Sequence, residues 1–206
     1  LINLICSSCG QVFLSNYSKL TSFDDYYKNY TSDLQPAIAN IPVWFEETCE
    51  AISKQRLEFI KEFIREKESF LDIGCGYGST LGVIKNFYKK KNHRFKGVNP
   101  EKSLALFGQK KFNISIESKM FEKFESKQKF SFVILDNVIE HFVNPITTLK
   151  KIYKITESSS FIYIVTNNLD QPHGFYWQNF FRDHTFTFSE QTLSNLLQIC
   201  GFEVTK

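Results

Sequence analysis

Hydrophobic and polar positions follow different periods along the chain, and the change of period divides it into zones. Residues 1–42 are polar, aromatic and Cys-containing. In residues 43–68, apolar side chains such as Ile52 and Leu57 recur at helical spacing among charged ones, which predicts one amphipathic helix. From Ser69 onward, short apolar runs alternate with amphipathic stretches, which predicts strands that alternate with helices.

Five stretches predict strands, three of which (residues 69–74, 129–137 and 160–168) are expected to be buried, and four stretches beside them predict helices. The strands are expected at residues 69–74, 94–99, 112–118, 129–137 and 160–168, and the helices at residues 79–90, 100–110, 144–156 and 189–201. Ser79 is a candidate cap of the first of these helices, Pro100 suits the first turn of the second, and Gly201 ends the last. Because helices connect successive strands, we expect right-handed crossovers. The predicted fold is α/β, a Rossmann-like, doubly wound, mostly parallel sheet with helices on both faces.

The predicted organisation is a small N-terminal appendage, residues 1–42, followed by the α/β domain, residues 43–206. The chain starts on Leu1 and stops at GFEVTK, where a strand is expected to begin. We therefore expect that both ends are cut and that the domain lacks its last strands.

Composition narrows the classes of partner. The net charge is only +3 and the lysines are scattered, which argues against nucleic acid or an anionic membrane as a partner. No apolar run approaches the roughly 20 residues of a membrane span. Five irregularly spaced cysteines do not make a disulfide framework, which favours a reducing cytoplasm. A homodimer is compatible with this composition.

A glycine-rich turn follows the first predicted strand, in the stretch SFLDIGCGYGSTL. Its spacing is G-x-G-x-G over residues 74–78, whereas a dinucleotide site has G-x-G-x-x-G over a helix N-terminus. Glycines there let the backbone approach a ligand closely. Asp72 lies two residues before the first glycine, and its carboxylate disfavours a pyrophosphate but suits a cation.

The segment LDIGCGYG closely resembles the first motif of the class I S-adenosylmethionine-dependent methyltransferases, whose cofactor has a sulfonium and an ammonium but no phosphate. The resemblance covers about residues 45–204. It implies that S-adenosylmethionine is the cofactor and S-adenosylhomocysteine the product. The cofactor residues it implies in this turn are Asp72, Gly74, Cys75, Gly76 and Tyr77.

Further cofactor contacts are implied at the ends of the later strands. Asn99, followed by Pro100, stands where the family usually has an acid that binds the ribose hydroxyls, and Glu101 could compensate. Met120 lies with Phe121 where the family places its adenine contacts. The near side of the adenosine is assigned to Asp136, Asn137 and Val138.

The stretches NVIEHFVNP and HTFTFSEQTLSNLLQICGFEV resemble the ubiquinone-biosynthesis O-methyltransferases. The NPPY-type motif of amino-methylating DNA enzymes and the Pro-Cys nucleophile of cytosine-C5 enzymes are absent from the sequence. The resemblance therefore implies methylation of oxygen on a small molecule, although nitrogen or carbon as the acceptor atom stays open.

Histidines are the candidates for removing the hydroxyl proton, because imidazole titrates near neutrality. His141 follows the fourth predicted strand and is the first candidate for the base. His184 is the second catalytic candidate, as a contact to the substrate, and His173 lies in the same loop. His93, in a lysine-rich turn, is expected to face solvent.

A metal site is the alternative for the same segment. Some relatives hold Mg²⁺ with an E-x-x-E-H pattern and a later His, so that Glu140, His141 and His184 are the residues to consider. Asn137 replaces the first Glu and is a poorer ligand for a hard cation. We therefore assign no metal ligand and expect Glu140 to bond the backbone.

The N-terminal segment CSSCGQVF has the spacing of half a zinc ribbon. Together with DDYYKNY it resembles the N-terminal part of a family of sugar-modifying methyltransferases. A first Cys pair would lie before Leu1, and without it we expect Cys6 and Cys9 to be ordinary thiols.

The predicted function is S-adenosylmethionine-dependent methyl transfer to a hydroxyl of a small molecule, with a sugar or surface-polysaccharide precursor as acceptor. The alternative is a catalytically degenerate methyltransferase fold that serves as a ligand-binding or interaction scaffold. Asn99, Asn137 and the incomplete ribbon favour this second hypothesis. A nicotinamide dehydrogenase is excluded by the glycine spacing and by the lack of an acid after the second strand.

Overall fold

The chain forms two compact units in the computed structural model, which describes residues 2–15, 41–171, 180 and 183–205. We call one of them the sheet unit; it comprises Phe23–Leu135 and Thr156–Tyr163. The other, which we call the terminal unit, comprises Leu1–Ser22, Asp136–Ile155 and Ile164–Lys206.

A five-stranded sheet is built from the apolar runs of the sequence. Its strands are β3 (Ser69–Ile73), β4 (Arg94–Asn99), β5 (Ser115–Ser118), β6 (Phe130–Asp136) and β7 (Thr156–Val165). They lie in the order β5-β4-β3-β6-β7, and β3 pairs in parallel with both β4 and β6. The chain winds outward from β3 to β5 and then returns to the other side of β3. The predicted Rossmann-like, doubly wound α/β class is confirmed.

The strands at the centre of the sheet are the most apolar and the most buried. Every residue of β3 is buried, as are the first six residues of β6. The ring of Phe70 stacks on Phe95 with centroids 5.2 Å apart and packs against Phe132 at 5.3 Å. Burying one such side chain contributes about 1.5–3 kcal/mol, so these strands anchor the segments that follow them.

The described residues of the sheet unit form three helices: α1 (Val43–Ile60), α2 (Ser79–Phe87) and α3 (Lys102–Phe112). The prediction that α1 runs to residue 68 is wrong, because a 3₁₀ turn, Lys61–Phe63, follows Ile60. Ile52 was also expected on its apolar face, but this side chain is 42% exposed. Ser53 is buried instead.

The starts of α2 and α3 differ from the sequence predictions. Ser79 does not cap α2, because the N-cap is Gly78, whose backbone is in the left-handed region. The Ser79 hydroxyl lies 2.8 Å from the Ser53 hydroxyl. Pro100 precedes α3 rather than lying in its first turn, since Glu101 is the N-cap. The α3 helix then extends to Phe112, so β5 begins at Ser115, three residues later than the predicted start at 112.

A polar network lies at the start of β3. The Glu68 carboxylate is buried and accepts hydrogen bonds from the Arg65 backbone at 3.0 Å, from its Nε at 2.7 Å, and from the Ser131 hydroxyl. Although burial raises the pKa of Glu68, these bonds outweigh it and hold the pKa below its usual value. The prediction that His93 faces solvent is wrong: its Nδ1 accepts from the Glu68 N–H at 3.0 Å, and its ring packs against Phe70.

The terminal unit contains a three-stranded sheet that the sequence did not predict. Its strands are β1 (Asn3–Ile5), β2 (Val12–Leu14) and β8 (Phe186–Thr187), which pair antiparallel in that order. Strands this short show no alternation by which they could be detected. The unit also holds a 3₁₀ turn, Ile139–His141, and the helices α4 (Pro145–Ile155) and α5 (Glu190–Ile199), as predicted to within a few residues.

The predicted boundary after residue 42 stays a prediction, because the stretch 16–40, including DDYYKNY, lies outside the described residues. His173 lies outside them as well. Over the described part of the chain, no helix combines the length and apolar character that crossing a membrane requires.

Candidate functional site

The glycine turn after β3 has an unusual backbone conformation with open space at Gly76. Gly74, Gly76 and Gly78 all have positive φ, at 69°, 56° and 78°. The N–H groups of Gly74 and Cys75 both donate to the Val98 carbonyl, at 2.8 and 3.2 Å, which holds the turn against the end of β4. A Cβ at Gly76 would meet no atom within 4 Å. The turn therefore offers space for a ligand to approach the main chain.

Asn99, at the end of β4, joins the turn to the loop before α3. Its Oδ1 accepts from the Gly76 N–H at 3.2 Å, and its Nδ2 donates to the Glu101 carbonyl at 3.2 Å. An aspartate could accept the first bond but not donate the second, so an amide suits this position. The Glu101 carboxylate is engaged in capping α3, where it accepts from the N–H groups of Ser103 and Leu104.

The other predicted cofactor residues of the sheet unit have distinct surroundings. Asp72 is buried on β3, opposite Gly97 of β4. Burial, and then the Asp72 carboxylate, raise the pKa of the Cys75 thiol well above its ordinary value. Tyr77 is buried, with its ring 5.5 Å from that of Phe107. Met120 is half-buried at the start of a 3₁₀ turn.

The segment after β6 lies in the terminal unit and begins with an unusual backbone conformation. Asn137 is exposed and has φ of +54°. Its N–H donates to the Val165 carbonyl at 2.8 Å, and its Nδ2 donates to the Asp136 carboxylate at 2.9 Å. The next residue, Val138, is half-buried and leads into the 3₁₀ turn.

Glu140, His141 and His184 form a cluster that brings together the two histidines singled out from the sequence. One ligand atom of each residue lies within 4.8 Å of the others, and the two imidazole rings meet edge to face at 5.0 Å. Thr185 holds the two segments together, because its buried hydroxyl lies 2.8 Å from both the Glu140 and the Phe142 carbonyls.

His141 contacts Asp183, a residue that sequence reasoning missed. The imidazole Nδ1 lies 3.0 Å from the Asp183 main-chain oxygen and 3.6 Å from its Oδ2. A carbonyl oxygen only accepts, so Nδ1 carries the proton and Nε2 is left as the acceptor. Burial lowers the pKa of His141 while Asp183 opposes that shift, which leaves the ring neutral near pH 7. Because 42 residues separate the partners, no local signal points to this contact.

Glu140 is a buried acid, and its carboxyl group does not form the expected hydrogen bond to the backbone at ordinary geometry, although its own backbone and the Thr166 hydroxyl act to lower its pKa. Neither carboxyl oxygen has a hydrogen-bond partner among the residues that the structure describes. Burial is the main cause that raises its pKa to about 7, and the Asp136 and Asp183 carboxylates add to it. The cluster fits the metal pattern only in part, since the Asn137 amide donates to Asp136. The absence of a metal ligand stays a prediction, and no step proposed for this protein involves a metal.

Replacing Glu140 with glutamine is expected to change the pH dependence of stability. The acid's pKa is about 7 in the folded protein against an ordinary 4.5. The stabilisation that Glu140 gives the folded protein is therefore fully present below pH 4.5 and is lost as the pH rises through 7. Between pH 4.5 and 8, the free energy of unfolding of Glu140→Gln relative to that of the wild type should rise by about 3 kcal/mol. Urea unfolding at both pH values measures this, and a pH-independent difference would contradict it.

A family model described as a methyltransferase domain matches residues 45–206. No curated protein matches the chain.

Solved structures resemble the chain at low sequence identity. The plantazolicin methyltransferase BpumL, in complex with a pentazolic desmethylPZN analog and SAH, is 19% identical with a TM-score of 0.57, over 89% of this chain and 73% of that one. A possible histamine N-methyltransferase from Thermotoga maritima is 19% identical with a TM-score of 0.62, over 88% and 80%. Coclaurine N-methyltransferase, bound to N-methylheliamine and SAH, is 19% identical with a TM-score of 0.53, over 68% and 45%. These similarities show the fold.

Proposed function

Because the chain belongs to the methyltransferase-domain family, we propose that it transfers a methyl group from S-adenosylmethionine to a hydroxyl of a small molecule. One observation carries the proposal: the positive-φ glycine turn has open space at Gly76, two residues beyond the first glycine and close in sequence to the buried Asp72. The Asp72 carboxylate and the open space over Gly76 suit a ligand that carries an ammonium and that comes close to the main chain. The structures of BpumL and coclaurine N-methyltransferase contain SAH, which supports the same cofactor here.

Each residue set has a proposed role toward that cofactor. The bound sulfonium supplies the methyl group. Asp72 and the turn of Gly74, Cys75, Gly76 and Tyr77 hold the methionine end, and Tyr77 contributes its main chain since its ring is buried. Asn99 has one proton on Nδ2 beyond its bond to Glu101, and this proton is available to a ribose hydroxyl. The remaining contacts are proposed for Pro100, Met120, Asp136, Asn137 and Val138.

His141 is proposed as the base. Its unprotonated Nε2 would take the proton of the acceptor hydroxyl as the new C–O bond forms and the carbon–sulfur bond breaks, with S-adenosylhomocysteine as the leaving group. His184, whose ring contacts that of His141, is proposed to hold the hydroxyl in place. Such positioning matters because an in-line displacement depends on the alignment of the reacting atoms.

A sugar is the proposed acceptor class. The terminal unit contains a cavity of about 650 Å³, large enough for a small molecule. Its described lining has no charged residue and combines the rings of Phe186 and Phe188 with the amides of Gln11 and Asn195. An uncharged lining suits a neutral molecule such as a sugar, and neither His141 nor His184 belongs to the described lining. The resemblance of CSSCGQVF to sugar-modifying methyltransferases supports the same class.

Nitrogen is the competing acceptor atom, since coclaurine N-methyltransferase and the possible histamine N-methyltransferase are named for it. The absence of an NPPY-type motif from the sequence favours oxygen. Mass spectrometry of the methylated product, followed by NMR of the new methyl group, distinguishes an O-methyl from an N-methyl product.

A degenerate binding scaffold is the second candidate function. It is favoured by the two asparagines, because Asn99 is engaged by the turn and Asn137 by Asp136. Turnover separates the two candidates: formation of S-adenosylhomocysteine with any acceptor excludes the scaffold.

Calorimetry is expected to detect S-adenosylmethionine with a micromolar Kd, together with a rise in Tm. Gly76→Ala should weaken this binding about 10- to 100-fold, because the added Cβ occupies the open space over the turn. Gly10→Ala is the matched control: Gly10 also has positive φ, at 75°, and open space, so it bears a similar backbone strain away from the turn. The proposed function fails if the wild type gives neither heat nor a thermal shift.

A further inference from the structure

We propose that Asp183 is a positioning residue for His141: its main-chain carbonyl fixes the imidazole tautomer, and its carboxylate stabilises the imidazolium that forms when Nε2 takes a proton. The functional meaning of this pair rests on the proposed function, in which His141 is the base. The pair itself is a property of the free protein.

The two oxygens of Asp183 act on the same nitrogen in different ways. The main-chain oxygen, 3.0 Å from Nδ1, accepts its hydrogen and so excludes the tautomer in which Nε2 carries the proton. The carboxylate Oδ2, at 3.6 Å, is too far for a strong hydrogen bond but close enough for an ionic attraction. The first interaction orients the ring, and the second takes effect only when the ring becomes charged.

Solvent weakens this attraction only in part. The side chains of His141 and Asp183 are 19% and 25% exposed, so the pair is more buried than an ordinary surface ion pair. Such partial burial makes an opposite charge at this distance effective in raising the pKa of an imidazole.

Two other titratable groups lie beside the imidazole: Glu140 on the same 3₁₀ turn and His184 next to Asp183. Asp136, at the end of β6, acts on Glu140. Among the described residues, the hydrogen-bond partner of His141 Nδ1 is the Asp183 main-chain oxygen, which accepts from it. His184 meets the ring edge to face and disfavours its charge, so Asp183 is the group that compensates.

The segment that carries Asp183 is fixed against the 3₁₀ turn. Thr185, with no exposed surface, donates its N–H to the Glu140 carbonyl at 2.9 Å. Its own carbonyl accepts from the Leu14 N–H of β2 at 2.9 Å. Asp183 lies two residues before this fixed point, so its position relative to His141 is set by buried hydrogen bonds.

The test is an NMR titration of the full chain labelled with ¹⁵N, in which the His141 signals are assigned by their loss in His141→Gln. In the wild type we expect Nδ1 to carry the proton of the neutral ring. In Asp183→Asn we expect the same tautomer, because the main-chain carbonyl remains, and an imidazole pKa lower by about 1. Asp170→Asn is the matched control, since Asp170 belongs to the same unit and accepts from the Glu190 N–H, and it should leave His141 unchanged.

Two outcomes overturn the proposal. One is a wild-type neutral ring protonated on Nε2, which needs no variant to observe. The other is an identical titration of His141 in Asp183→Asn and in the wild type. Because the titration uses neither cofactor nor acceptor, it distinguishes a failure of this proposal from a failure of methyl transfer.

Discussion

Methyl transfer by His141→Gln is expected to be about 100- to 10,000-fold slower than in the wild type, the range that a general base contributes. The variant keeps a polar side chain of similar size but has no nitrogen that can take the hydroxyl proton. The measurement is S-adenosylhomocysteine formation with a panel of nucleotide-linked sugars at saturating S-adenosylmethionine. Cofactor binding by calorimetry should stay within a few-fold of the wild type.

His184→Gln serves as the comparison for this experiment. If the His184 ring only orients the hydroxyl, its loss should slow methyl transfer less than the loss of His141 does, because the hydroxyl stays partly positioned without one contact. Should methyl transfer by His141→Gln stay within a few-fold of the wild type, His141 is not the base and His184 becomes the first candidate.

Gly108→Ala is expected to lower the free energy of unfolding by roughly 3 kcal/mol, at the upper end of what overpacking costs. A Cβ on Gly108 of α3 would lie 1.9 Å from the Tyr77 main-chain oxygen and 2.7 Å from its carbonyl carbon. The backbone of α3 and that of Tyr77 must move apart to make room. Tyr77 belongs to the glycine turn. The folded fraction should therefore also bind S-adenosylmethionine more weakly.

Urea unfolding and calorimetry on the same variant measure both effects. In an ordinary helix interior, Gly→Ala stabilises by up to about 1 kcal/mol, so the sign of the change is itself informative. Leu106→Ala, at a 54% exposed position of the same helix, is the control and should cost far less. Wild-type stability of Gly108→Ala would show that the close approach of α3 to the turn is not needed.

The sheet could be predicted from sequence because its signals are local. The runs that became β3 and β6 are largely apolar, and burial on both sides of a sheet requires that composition. The helix ends were less predictable. α1 stops at Ile60, and the Arg65 backbone binds the Glu68 carboxylate, whose other partner, Ser131, is 63 residues away.

The features of the candidate site also differ in how local they are, and only the local ones could be predicted from the sequence. The glycine turn and Asp72 lie within seven consecutive residues, so their pattern is visible in sequence. The bond of Asn99 to Gly76 spans 23 residues and that of His141 to Asp183 spans 42. Neither is visible without the fold. The same holds for Glu140, whose lack of a hydrogen-bond partner among the described residues is a property of tertiary packing alone.

The Asn99 amide both accepts a hydrogen bond and donates one, which limits the residues that can replace it. In the family that the chain resembles, an acid usually stands at this position, yet Asn99→Asp would here turn a carboxylate oxygen toward the Glu101 carbonyl and lose the bond that Nδ2 donates. We therefore expect Asn99→Asp to be tolerated only if the loop before α3 changes as well, so that the amide and this loop are energetically coupled.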